Sequence, residues 1–231
     1  VTTCEVSLRN IAAGYARRPA LHQLTAAVPQ SAITAVVGPN GSGKSTLLSV
    51  LAGVHPPTSG TIERSRSFRP CFVVQRSAVS DALPLTVRET VAMGRWAHRG
   101  PWRRLTAEDR RAVDDSMERL GIRELASRQL GELSGGQRQR VLVAQGLAQE
   151  AGLILLDEPT TGLDVAARES IATVMRDVAA EGTTVVHATH DLAAARESDH
   201  CVLLLDGRAI GEGEPQDVLT ESALREFWGL R

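Results

Sequence analysis

Apolar residues along this chain recur at two spacings, and the change from one to the other marks its parts. Ile33-Thr34-Ala35-Val36-Val37 is a short β-branched run, and Leu153 to Leu156, Thr184 to Ala188 and Cys201 to Leu205 repeat the pattern. Such runs predict buried strands. Cys4 to Leu8, Leu24 to Val28, Gly60 to Glu63 and Cys71 to Val74 predict further strands, so Gly60 to Gln75 reads as one compact strand-rich piece. From about Ser77 to Arg140 the period becomes helical. Thr86-Val87-Arg88-Glu89 has capping-box spacing, with Gly94 placed to end that helix. Thr106 to Asp109 opens a second helix whose Val113, Met117 and Leu120 share one face up to Gly121. A third starts just after Ser134. Helices over Lys44 to Ala52 (closed by Gly53), Ala166 to Glu181 and Leu192 to Glu197 alternate with the strands. That alternation predicts a mostly parallel sheet with helices on its faces. Asp206-Gly207 reads as a hairpin turn.

A chain of 231 residues accommodates one large domain or a core with a subdomain. Its formal net charge of −1 gives no reason to expect a nucleic-acid partner. Trp102-Arg103-Arg104 and Arg110-Arg111 read as local, solvated basic faces. Cys4, Cys71 and Cys201 have neither metal-ligand spacing nor a disulfide framework, which fits a reducing compartment. No signal-peptide pattern opens the sequence, and the apolar runs are too short to span a bilayer. Any membrane role therefore calls for a second, spanning chain.

Candidate chemistry begins at Gly38-Pro39-Asn40-Gly41-Ser42-Gly43-Lys44-Ser45-Thr46, a full match to G-x-x-x-x-G-K-[ST]. Glycines let backbone amides close in on phosphate oxygens, Lys44 supplies charge to the β- and γ-phosphates, and Ser45 supplies a hydroxyl to Mg²⁺. The loop lies between a strand and a helix, so the phosphates meet a helix N-terminus. Leu153-Ile154-Leu155-Leu156-Asp157-Glu158 places two carboxylates at the carboxyl end of a strand, the edge where α/β proteins bind ligands. Asp157 is placed to hold Mg²⁺ and Glu158 to polarise an attacking water. An acidic pair at a strand end is common in α/β proteins, and only its company with the phosphate loop gives it weight.

Leu133-Ser134-Gly135-Gly136-Gln137 adds the family. With the phosphate loop it resembles the ATP-binding subunits of ABC transporters, from about Val6 to Leu219. The resemblance implies a RecA-like P-loop NTPase core (1–76 and 141–231) with an antiparallel β edge, and an inserted α-helical subdomain (77–140) carrying the Leu133–Gln137 signature. It implies ATP as substrate, Mg²⁺ as cofactor and ATP hydrolysis coupled to transport. His190, after the Val185 to Thr189 strand, matches the histidine that contacts the γ-phosphate and the catalytic acid; His187, within the strand, is read as packing only. Gln75 matches the residue that touches Mg²⁺ or the attacking water at the start of the segment facing the permease. Tyr15 matches the aromatic that stacks on adenine, a contact worth roughly 1–3 kcal/mol by analogy with nucleic-acid platforms. Asp164 of Gly162-Leu163-Asp164 matches the loop that crosses to the partner. Ser134, Gly135 and Gly136, with Gln137, form an anion-binding helix start with no lysine or acid beside them in sequence. In the family they cover the ATP held by a second copy, head to tail. One departure is Gln145, where many members carry arginine.

The resemblance also implies an integral-membrane permease, an extracellular or periplasmic substrate-binding protein acting through it, and a place on the cytoplasmic face of the membrane. A single phosphate loop and no coiled-coil pattern argue against twin-cassette and DNA-repair relatives, and against a cytosolic ABC ATPase without a permease. The stretch from Trp228 onward is read as carrying no regulatory domain of the kind sugar importers have. Gln75-Arg76-Ser77 followed by Leu83-Pro84-Leu85-Thr86-Val87, and the short Gly60 to Gln75 piece, are similar to zinc and manganese importers. Met93-Gly94-Arg95-Trp96 is compatible with both these and ferric-siderophore or cobalamin importers, the runner-up.

Overall fold

Two sheets divide the strands by direction in this computed structural model, which describes residues 4–15, 18–65, 69–74 and 84–227. β1 (Cys4–Tyr15) and β2 (Arg18–Pro29) form a long antiparallel hairpin. Both strands are more than twice as long as their apolar runs suggest. The reason is a series of register shifts between Leu8 and Gly14, with Asn10 and Gln23 at φ 52° and 49°, which break the period-2 alternation.

β3 (Ile33–Val37), entirely buried, leads into α1 (Lys44–Leu51). β4 (Ser59–Arg64) pairs with β1, giving a three-stranded sheet in the order β2-β1-β4. β5 (Cys71–Val73) instead joins the second sheet, so the strands of the Gly60 to Gln75 piece part company rather than pairing. Gln75, and the Arg76 to Leu83 stretch that follows it, lie outside the described residues.

The helical part opens with α2 (Val87–Ala92), whose Thr86 and Glu89 make the expected capping box. Gly94 does not end the run. A 3₁₀ turn over Met93–Arg95 carries it into α3 (Trp96–Arg99), which stops at Gly100 with φ 72°. Gly94 is there for proximity: a Cβ on it would sit 2.2 Å from the carbonyl oxygen of Gln145. α4 (Ala107–Arg119) is capped reciprocally by Thr106 and Asp109. α5 (Gly135–Leu147), capped by Ser134, begins at the signature and continues without a break into the core, through the 140/141 boundary.

β6 (Leu153–Asp157), α6 (Val165–Ala180), β7 (Thr184–Thr189), α7 (Leu192–Arg196) and β8 (His200–Leu205) follow as the alternation requires. The Asp206-Gly207 turn returns the chain in antiparallel β9 (Arg208–Gly213), ahead of α8 (Pro215–Val218) and α9 (Glu221–Phe227). The second sheet runs β5-β6-β7-β3-β8-β9, parallel except for β9. This is the mixed α/β core with an antiparallel edge and a helical insertion that the sequence implies. Because β6, β7 and β3 are parallel neighbours, the segments after all three emerge on one edge.

The insertion shares a core with the sheet: Val87, Val91, Val113, Met117 and Leu120 pack in one cluster with Val73, Val141, Ile154, Leu156 and Val185. A buried ion-pair network adds to it. Arg95 Nε donates to Asp109 Oδ1 at 2.9 Å, its Nη1 reaches Glu150 and the Ala148 carbonyl, and Arg99 Nε lies 2.8 Å from Asp109 Oδ2. The Thr106 cap, reinforced by Arg95 and Arg99, holds the Asp109 carboxyl far below the usual carboxylate range. Cys71 and Cys201 are free and buried, which pushes both thiols up to about 12.

His187 is buried, with Nε2 3.0 Å from Ser198 Oγ, and burial lowers its pKa from 6.5 to about 4. An unfolded chain takes up this proton before the folded one does. Stability from a neutral His187 is therefore complete above pH 6.5 and lost as pH falls through 4. Between pH 7 and 4.5 that amounts to about 2–3 kcal/mol. Urea unfolding at the two pH values is expected to show His187→Gln losing less stability than wild type by about this amount; equal losses would show that His187 does not carry the slope.

Candidate functional site

The loop after β3 turns through Gly41 (φ 84°) and Gly43 (φ 103°), conformations that favour glycine. A Cβ at Gly43 would lie 2.7 Å from the Ala20 carbonyl oxygen, so β2 presses directly on the loop. Residues Gly38 to Ser45 thus bend around the N-terminus of α1, with Ser42, Lys44 and Thr46 buried. Lys44 Nζ donates to the carbonyls of Gly38 (2.8 Å) and Pro39 (3.1 Å).

The segment after β6 supplies the acids. Asp157 is buried beside Ser45, and its Oδ1 has no hydrogen-bond partner among the described residues. Burial, helped by the charge of Glu158, raises its pKa against the opposing effects of Ser45 and Lys44. A buried carboxylate with a bare oxygen next to a serine hydroxyl is a donor set that fits a hard divalent cation such as Mg²⁺. Glu158 takes a left-handed backbone, φ 50°. Its N–H donates to the Ala188 carbonyl at the end of β7, and Thr161 Oγ1 donates to Glu158 Oε2 at 3.1 Å. Glu158 Oε1 then stands 3.7 Å from Lys44 Nζ and 3.7 Å from His190 Nδ1. A cavity of about 500 Å³ is lined by Asn40, Gly41, Lys44, Ser45, Glu158 and His190, among others. Sequence reasoning passed over Thr161, and its spacing of three from Glu158 is the only signal that could have found it.

The signature residues stand elsewhere. Ser134 Oγ accepts from the Gln137 N–H, and Gln137 Oε1 accepts from the Ser134 N–H, so both side chains cap α5. A second cavity, of about 160 Å³, lies among Ser134, Gly136, Gln137, Arg140 and Asp164. In space, therefore, an acid, Asp164, does stand beside this helix start, contrary to the expectation from sequence neighbours. Asp164 Oδ1 accepts from Ala167 N–H, 2.8 Å away, and caps α6. The two cavities share no lining residue: the phosphate loop and the signature line separate cavities.

Tyr15 is exposed at the end of β1, with its ring stacked on His55 at a centroid distance of 4.6 Å. It does not line the phosphate cavity. Gln75 lies outside the described residues. Just before it, Val73 and Val74 line a groove of about 350 Å³ between β5, the α2–α3 run and α5, where Gln145 also sits. The arginine departure at position 145 thus falls on this groove.

A family model described as ABC transporter matches residues 21–161. The chain is 35% identical over 236 residues to the zinc transport system ATP-binding protein TroB of Treponema pallidum, covering 100% of this chain and 89% of that one. It is 36% identical over 229 residues to the ferric enterobactin transport ATP-binding protein FepC of Escherichia coli, covering 94% and 84%. A solved structure of a putative metal-chelate type ABC transporter in an inward-facing conformation superposes with a TM-score of 0.87 at 33% identity, covering 98% of this chain and 89% of that one.

Proposed function

The chain belongs to the ABC transporter family, and from that membership we propose that it is the Mg²⁺-dependent ATP-hydrolysing subunit of an importer. It works as two copies on the cytoplasmic face of the membrane, beneath a separate permease. The observation that carries the reading is Glu158, fixed by Thr161 and Ala188 between Lys44 and His190.

In this reading the loop amides and Lys44 bind the β- and γ-phosphates, Lys44 exchanging its loop carbonyls for phosphate oxygens. Ser45 and Asp157 would hold Mg²⁺, which supplies positive charge to the phosphate oxygens when bound. Glu158 orients and polarises the attacking water from a backbone that cannot drift, and His190 holds the γ-phosphate side of the same carboxylate. Tyr15 stacks on the adenine. Ser134, Gly135, Gly136 and Gln137 present α5 amides to the ATP of the second copy, with Asp164 crossing alongside. Gln75 would touch Mg²⁺ or the attacking water, at the start of the segment that faces the permease. Residues 1–76 with 141–231 form the ATP-binding core, and 77–140 form the helical subdomain. A periplasmic or extracellular binding protein acts only through the permease.

For cargo we favour zinc or manganese. Percentage identity does not separate the candidates, since TroB and FepC score alike. What supports a metal ion is the short piece from Gly60 to Gln75 and the Gln75-Arg76-Ser77 start of the segment leading to the permease. Ferric-siderophore import is the second reading, favoured by the similarity to FepC. Deleting the gene is expected to lower labelled zinc or manganese uptake at low external concentration, with growth restored by excess ion. Normal uptake of both ions beside impaired ferric-siderophore uptake would transfer the assignment to the second reading.

A further inference from the structure

The chain has three tryptophans, and two of them, Trp96 and Trp102, are exposed. Trp96 is 44% exposed on α3, and Trp102, in the turn between α3 and α4, is 95% exposed. Arg103 and Arg104 beside it are also exposed and carry no ion pair among the described residues. Leaving an indole this bare forgoes one of the largest apolar burials any side chain offers. The sequence reading of a merely solvated basic face accounts for the arginines and not for the indole.

The tip is also firmly mounted. Gly100 takes φ 72° to end α3. Across the base of the turn, Arg99 joins Asp109 through Nε at 2.8 Å and Thr106 Oγ1 through Nη2 at 3.3 Å. Arg95, one turn earlier, is buried against the same Asp109. Ion pairs at the base thus hold out a tip of one indole and two exposed guanidinium groups.

We propose that this tip is a docking surface for the anionic headgroup layer of the membrane, with Trp102 seated at the interface and Arg103 and Arg104 on lipid phosphates. Indole rings favour the headgroup level, and arginines beside an anionic surface add attraction. The placement rests on the proposed function: Met93 and Ala97, on the run that ends at this tip, share a groove with Val73 and Val74, just before the segment that faces the permease, which puts the tip on the bilayer side. Single-stranded nucleic acid is the competing occupant, since it too uses indoles and arginines. It binds in grooves that follow its backbone, whereas a 95% exposed ring protrudes.

The test uses the full-length protein, without permease, and vesicles of phosphatidylglycerol and phosphatidylethanolamine beside vesicles of phosphatidylcholine. The anionic vesicles are expected to bind the protein at least about tenfold more strongly, an advantage that falls with salt. Brominated phosphatidylglycerol is expected to quench tryptophan fluorescence, and W102F to remove most of that quenching. R103E/R104E should lower partition about tenfold or more, with ATP hydrolysis in detergent unchanged in both variants. Equal binding to the two vesicle types, undiminished binding by R103E/R104E, or a variant-sensitive complex with single-stranded RNA in place of vesicles would each overturn the proposal. A wild-type protein without ATPase activity would overturn the proposed function and leave the vesicle result standing.

Discussion

Replacing Glu158 by glutamine is expected to leave ATP binding intact and to lower turnover by about 10²-fold or more. The amide keeps the shape of the carboxylate, so the Thr161 hydroxyl still finds an acceptor oxygen and the backbone at φ 50° is undisturbed. What is lost is the negative charge 3.7 Å from both Lys44 and His190, and with it the ability to polarise water. Lys44, free of that carboxylate, is left to the phosphates alone, so affinity should hold or rise. Equilibrium dialysis with ATP and phosphate release under saturating nucleotide separate the two effects. Wild-type hydrolysis by this variant would remove Glu158 from the mechanism.

The second large effect concerns concentration. The phosphate-loop cavity and the signature cavity have no lining residue in common, so one chain alone does not close both over the same ATP. Two copies related by a two-fold axis complete two sites at once. Without a permease to hold the pair, the dimer is a mass-action species. Well below its dissociation constant, a tenfold dilution should lower specific activity by about tenfold. Steady-state assays across a wide dilution series, with sedimentation at each end, are the measurement. Constant specific activity from a sedimenting monomer would show that a single chain completes its own site. Gly136→Asp is a companion variant: it places a negative charge at the α5 N-terminus, which suits the helix itself but opposes the partner's nucleotide.

The phosphate loop, the two acids and His190 were legible because each is a contiguous motif fixed to the end of an apolar strand. Where three such strands are parallel neighbours, their ends must meet. Legibility failed where partners are distant in sequence or where local periodicity breaks. Bulges between Leu8 and Gly14 hid the length of β1. Gly94 carried the signal of a helix end, yet its role depends on the Gln145 carbonyl, 51 residues on. Tyr15 on His55 and the side of Asp164 facing Gly136 are likewise matters of tertiary contact. Gly60 and Cys71 looked like one piece because nothing local tells a strand which of two sheets it will join.

The left-handed backbone at Glu158 has a consequence for how this chain can vary. A non-glycine residue held there costs of order 1–3 kcal/mol, and glycine would adopt the same turn without that cost. The Glu158→Gly variant should therefore fold better than the parent while losing the carboxylate between Lys44 and His190. Screens that reward heat resistance or soluble yield will draw sequences away from glutamate, and only a screen that counts phosphate released will bring it back.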